Sequence, residues 1–230
     1  MKTLGLLGGM SWESTAIYYR RLNELVRERL GGRHSARLLI WSADFAPIAE
    51  LQAAGAWDEA GRILAEAARG LEAAGAEAIL ICANTMHKLA GEVQAAVSVP
   101  LLHIADPLAA ACKAARCVRP LLLGTGFTME DGFYQRALGE RGVEASIPPP
   151  AERARLHAII FDELVCGVIS PASRSALLAM IAIAARDDGV DGVILGCTEL
   201  GLLVGEGDID QPLLDTLELH ARAAAEFALC

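Results

Sequence analysis

Gly5-Leu6-Leu7-Gly8-Gly9-Met10-Ser11-Trp12-Glu13 is the stretch that decides how this chain folds. An apolar run over residues 2–7 ends in two glycines, and apolar residues at helical spacing follow at once over residues 12–30. Ser11 stands where a helix N-cap stands, and Glu13 falls in the first turn, where the helix dipole favours an acid. A buried strand passing through a tight glycine turn into a helix is the opening of a βαβ unit.

The same rhythm continues along the chain. Strands are predicted over residues 37–41, 77–82, 100–104, 120–124, 143–147 and 192–196, with helices near 60–74, 88–97, 107–116, 130–139, 152–166, 173–187 and 213–227. Strand and helix in alternation mean parallel sheets covered by helices. Pro148-Pro149-Pro150 and Gly205-Glu206-Gly207-Asp208 read as connecting loops.

An internal echo sets the domain organisation. Leu121-Leu122-Leu123-Gly124-Thr125-Gly126, with Thr128-Met129 soon after, repeats the opening stretch. Gly192-Val193-Ile194-Leu195-Gly196-Cys197-Thr198 repeats Ile79-Leu80-Ile81-Cys82-Ala83-Asn84-Thr85. Gly8 lies 75 positions before Ala83, and Gly124 lies 73 before Cys197. The expected fold is therefore α/β with two pseudo-symmetric lobes, each a parallel sheet flanked by helices. The lobes are expected at residues 1–98 plus 208–230 and at 99–207. Ligands of open parallel sheets bind beyond the carboxyl ends of the strands, which places the active site in the cleft between the lobes.

Composition narrows the function. The 230 residues carry 20 Lys+Arg against 29 Asp+Glu, a formal charge of −9 with no basic run. Such a surface is unsuited to a phosphate backbone, so nucleic acid is set aside. The apolar N-terminal stretch is too short for a signal peptide or for the roughly 20 residues of a membrane span. Six cysteines without paired short spacings read as thiols of a cytoplasmic chain. No GxGxxG, phosphate-loop, GxSxG or HExxH motif is present.

The chemistry sits at the strand ends. Cys197 leaves a buried strand and enters a helix, where the dipole and free N–H groups favour thiolate; the alternative is a small core residue. Thr198 adds a hydroxyl, and the N–H groups suit a substrate carboxylate. Asn84 and Thr85 follow the third strand in the same way, as substrate donors or as helix caps. Met10, Thr125 and Thr128 also lie just past strand ends, and His87 is an acid/base candidate. Cys112, Cys117, Cys166 and Cys230 read as structural or incidental.

These motifs together resemble the aspartate/glutamate racemase family, and most closely its broad-specificity amino-acid racemase branch. The likeness rests on Gly5 through Thr15, on Asn84-Thr85-Met86-His87, on Gly124-Thr125 with Thr128-Met129, and on Gly196-Cys197-Thr198-Glu199. It extends to Asp215-Thr216 and His220. The resemblance implies an isomerase acting on a small-molecule amino-acid substrate that uses no pyridoxal phosphate, metal or other cofactor and is usually a homodimer. It implies that two cysteines flank the α-carbon, one abstracting a proton as thiolate and the other donating as thiol. Donors around the carboxylate would stabilise the carbanion, here Asn84, Thr85, Thr125 and Thr198 with backbone N–H groups. Met10, Gln52, Thr128 and Glu199 complete the substrate-binding set that the resemblance implies.

One position departs from the pattern. Where the family has its first cysteine, directly before Asn-Thr, this chain has Ala83. Cys82 is one residue earlier, and successive strand side chains face opposite ways, so only a bulge would bring it round. Several readings stay open: a racemase in which water or His87 replaces the missing acid, or a one-thiol decarboxylase or double-bond isomerase of small carboxylic acids. A non-catalytic amino-acid binder, or an engineered inactive form, also fits Ala83. No arginine or lysine lies within the motifs to meet an acidic side chain. Arg153 and Arg155 could reach from the helix after the prolines, and Gln52 suits a neutral polar group.

Overall fold

The computed structural model describes residues 1–230. In chain order the elements are β1 (Leu4–Gly8), α1 (Trp12–Leu30), β2 (Leu38–Ser42), α2 (Phe45–Ala53), α3 (Trp57–Ala73), β3 (Ala78–Ile81) and α4 (Ala90–Ala96). They continue with α5 (Ala105–Ala114), β4 (Leu121–Leu123), α6 (Gly126–Glu130), α7 (Phe133–Gly139), α8 (Pro150–Ala158) and α9 (Pro171–Asp187). β5 (Val193–Leu195), β6 (Leu213–Asp215) and α10 (Thr216–Leu229) close the chain. The chain divides into two units, Met1–Ile104 with His220–Cys230, and Ala105–Leu219. No helix is long and apolar enough to cross a membrane.

The first unit is built on a parallel sheet in the order β2-β1-β3, with Leu4 opposite both Leu38 and Ala78. All of β1 and β3 is buried. A helix must lie close over the sheet for that, and α3 does so through Ala60, Gly61, Leu64, Ala65, Ala68 and Leu71, mostly small side chains on one face. Leu7, Ile79, Ile81 and Ala83 join Ala60, Leu64, Ala68 and Leu71 in one apolar cluster. Gly9 makes the turn after β1: its φ is +84°, and a Cβ there would lie 2.3 Å from the Ala43 carbonyl oxygen. Ser11 caps α1, its Oγ accepting from the Ser14 N–H at 3.2 Å.

The second unit repeats the plan. Its parallel sheet runs β4-β5-β6, with Val193 opposite Leu121 and Leu213. Leu121, Leu123, Val193, Leu195 and Cys197 pack with Leu177, Met180 and Ile181 of α9. Single bridges complete the correspondence: Ile79 pairs with Leu101 beside β3, and Leu121 pairs with Ser146 beside β4. Each unit thus has four chain segments in matching order, β1 answering to β4 and β3 to β5.

The differences from the sequence reading have local causes. The segments at 100–104 and 143–147 touch their sheets at one bridge each, too little for a strand. Residues 213–215 form β6, so the last helix begins only at Thr216. Gly132, at φ +71°, separates two short helices where one was expected at 130–139. The helix expected over 152–166 ends at Ala158 and continues as a π turn, Ile159–Glu163, and a 3₁₀ turn. The unit borders lie at 104/105 and 219/220, against expected borders of 98/99 and 207/208. The bridge at Leu101 attaches residues up to 104 to the first sheet, while β6 pairs with β5 in the second.

Candidate active site

In the first unit, the end of β3 carries Cys82, Ala83 and Asn84 into a 3₁₀ turn, Thr85–Leu89. Strand alternation decides which side chain faces where. Ile79, Ile81 and Ala83 belong to one apolar cluster, from which Leu80 and Cys82 are absent. Cys82 is wholly buried on the other face, and burial pushes its thiol far above the ordinary cysteine range. There is no bulge that turns it. Met10 and Ala83 share the cluster with Met86, and the Gln52 amide nitrogen donates to Met86 Sδ at 3.0 Å. Met10, Gln52, Ala83, Asn84 and Thr85 are thereby gathered around the ends of β1 and β3, and only Thr85 is more than slightly exposed.

His87 is excluded as the replacement acid. Its Nδ1–H donates to the Ala83 carbonyl at 2.8 Å, and its Nε2 accepts from the Ile104 N–H at 3.2 Å. Both ring nitrogens are taken, and the ring is 3% exposed. Burial, then His103 and His220 nearby, hold it well below the usual histidine value, so it stays neutral. His220 belongs to the same cluster, donating from Nε2 to the Leu102 carbonyl at 2.7 Å and accepting from the Tyr18 hydroxyl on Nδ1 at 2.9 Å.

In the second unit, β5 delivers Cys197 to a five-residue 3₁₀ turn, Thr198–Leu202. Cys197 Sγ donates to Glu199 Oε2 at 3.1 Å, and Thr198 Oγ1 donates to the same oxygen at 2.6 Å. Glu199 is 4% exposed and Cys197 8%. The thiol is pushed well above the cysteine range, first by burial, then by the Glu199 carboxylate and its hydrogen bond. The backbone N–H groups of Glu199 and Leu200 pull the other way and lose. This corrects the expectation of a favoured thiolate: a single 3₁₀ turn supplies little dipole, and the buried carboxylate was invisible as such in the sequence. The Thr198 hydroxyl proton is likewise committed to Glu199.

Beside it, at the end of β4, Thr125 caps α6, its Oγ1 accepting from the Thr128 N–H at 3.2 Å with the two hydroxyl oxygens 3.2 Å apart. The Ser11–Ser14 pair of the first unit has the same geometry, with hydroxyl oxygens 3.2 Å apart. The second unit therefore gathers Thr125, Thr128, Cys197, Thr198 and Glu199. Arg153 is engaged with Glu130 at 2.8 Å and the Pro148 carbonyl at 2.9 Å, and Arg155 is exposed.

Two repeated strand ends of this kind can be compared with known proteins. Residues 7–224 match the Asp/Glu/hydantoin racemase family. The chain belongs to that family. A candidate Asp/Glu racemase from Yersinia pestis is 47% identical over 100% of each chain, with a TM-score of 0.93. An aspartate racemase homologue from Pyrococcus horikoshii is 36% identical over 100% of each chain, with a TM-score of 0.88. Among curated proteins, the broad-specificity amino-acid racemase RacX of Bacillus subtilis is 22% identical over 225 residues, covering 96% of this chain and 95% of the relative. The family and these neighbours support an isomerase of the racemase kind.

One relationship was not foreseen from the sequence, the Cys197–Glu199–Thr198 contact. The i, i+2 spacing of a thiol and a carboxylate across a strand end was its only signal.

Proposed function

We propose that this chain is a cofactor-independent amino-acid racemase of a one-thiol kind, in which Cys197 moves the α-proton on one face of the substrate. The observation that carries the reading is the buried hydrogen bond from Cys197 to Glu199, set in the GCTE segment of a racemase-family chain. In the resting pair the proton is on sulfur, ready to be donated. To act as a base, Cys197 passes its proton to Glu199 Oε2, and the thiolate then takes the α-proton, breaking C–H and forming S–H. The electron pair left on the α-carbon spreads into the substrate carboxylate. The hydroxyls of Thr125 and Thr128, in the same unit as Cys197, are assigned to hold that carboxylate. Return of a proton from Cys197 restores the starting enantiomer, and water delivering a proton to the opposite face gives inversion.

Ala83 is the reason for the asymmetry. It stands at the position in the first unit that answers to Cys197, each being the third inward residue after Ile79-Ile81 and Val193-Leu195. A methyl group cannot donate a proton, Cys82 faces away, and His87 is locked. Gln52, the engaged Arg153 and the absence of a basic residue in the motifs favour neutral or broad specificity. The homodimer rests on the family resemblance alone, and the cytoplasmic location on the cysteine pattern and the short N-terminal apolar stretch.

The test is proton NMR in D₂O with both enantiomers of aspartate, glutamate, homoserine and a set of neutral amino acids, followed by chiral analysis. The reading predicts loss of the α-proton signal faster than inversion for at least one amino acid. Absence of exchange with every amino acid, alongside turnover of another carboxylic acid, would transfer the site to decarboxylase or double-bond isomerase chemistry.

A further inference from the structure

The turn that opens α6 is held from a distance. The Gly126 N–H donates to Nδ1 of His157 on α8 at 3.1 Å, across 31 positions of sequence. A ring nitrogen that accepts carries no proton, so neutral His157 keeps its proton on Nε2. The imidazole is fixed between two aromatic rings, with centroids 5.9 Å from Phe127 and 4.6 Å from Phe161. Phe161 lies in the π turn that follows α8. A Cβ at Gly126 would sit 3.4 Å from Nδ1, so glycine leaves room for the imidazole to approach the backbone.

The first unit also holds an amide beside its cap pair, with a local side chain. There Thr15, next to the Ser11–Ser14 cap pair, answers the Gly9 N–H through Oγ1 at 2.8 Å. The amide held in the second unit is a different one: Gly9 lies two positions before Ser11, whereas Gly126 lies one after Thr125, and Met129, which follows Thr128 as Thr15 follows Ser14, has no hydroxyl. His157, from another helix, fixes the amide that directly follows Thr125, whose Oγ1 lies 3.2 Å from that of Thr128.

We propose that His157 is a positioning residue for substrate binding, setting the turn of residues 125–128 so that Thr125 and Thr128 meet the substrate carboxylate. The inference rests on the reading of that turn given above. Its mechanism is the acceptor on Nδ1, not charge. Asparagine can place Oδ1 near the Nδ1 position and accept the same N–H, whereas leucine fills the space without an acceptor.

The experiment compares the wild-type protein with His157→Asn and His157→Leu. Steady-state α-proton exchange gives kcat and KM, amide hydrogen exchange reports the Gly126 N–H, and a melting curve checks folding. In His157→Leu, KM should rise about tenfold and kcat should fall as well, because the same hydroxyls meet the carboxylate that takes up the carbanion's charge. Gly126 should lose protection in that variant, and His157→Asn should restore both towards wild type. A His157→Leu protein with unchanged KM overturns the inference, as does an asparagine variant no better than leucine. If the wild-type protein exchanges no amino acid, the proposed function fails separately. Gly126 protection then decides alone, and its persistence in His157→Leu would overturn the positioning role.

Discussion

The thiol of Cys197 and the carboxylate of Glu199 share a hydrogen bond of 3.1 Å inside the second unit, where both are almost fully buried. A carboxylate beside a thiol disfavours thiolate, and burial disfavours it further. The pair therefore stores its proton on sulfur and needs Glu199 to receive it before Cys197 can act as a base.

Glu199→Gln should separate those two effects. Removing the negative charge lowers the pH at which Cys197 ionises, while removing the proton acceptor slows abstraction. Iodoacetamide labelling of the Cys197 peptide across pH, read by mass spectrometry, should show a midpoint displaced downward, with α-proton exchange reduced. A midpoint that does not move would mean that Glu199 has no hold on the thiol.

Ala83→Cys should rebuild the missing half. A positioned general acid contributes roughly 10²–10⁴-fold, so inversion should increase by about a hundredfold or more, with exchange from the Cys197 face less affected. Chiral chromatography of the product measures this. No gain in inversion would show that residue 83 is not where the second proton arrives.

His87 predicts a pH dependence of stability. Its folded-state value lies below the unfolded one, chiefly through burial. The contribution is therefore fully present above the unfolded histidine value near ~6.5 and is lost as pH falls, because the unfolded chain takes up a proton that the folded one refuses. One such group costs about 1.4 kcal/mol per pH unit below that value. Urea unfolding at pH 8 and pH 5.5 should show a smaller pH-dependent loss in His87→Leu than in the wild type, although the variant is less stable at pH 8. Equal losses would mean that His87 is not the group refusing the proton.

Much of this architecture is legible in the residues. Gly8-Gly9 followed by Ser11 fixes β1, its turn and the start of α1, since few other patterns satisfy a positive φ and a cap in succession. The echo of Ile79–Ala83 in Val193–Cys197 identifies equivalent strand ends, and the structure places Ala83 and Cys197 at equivalent inward positions. What the residues conceal is tertiary. Leu213-Leu214-Asp215 looks like the front of a helix until it pairs with β5. His87 looks like a free acid near a helix start until Ala83 and Ile104 occupy both its nitrogens. Cys197 at a turn suggests a thiolate until burial places a carboxylate against it.

The most direct measurement is α-proton exchange in D₂O by the wild-type protein and by Cys197→Ser, with the same amino acids and matched melting temperatures. A serine hydroxyl is far too weak an acid to exchange a proton with Glu199 on the thiol's terms. The account predicts exchange in the wild type and none above background in Cys197→Ser. Exchange that survives the substitution would contradict it, because the proton would then be moving through a group other than Cys197.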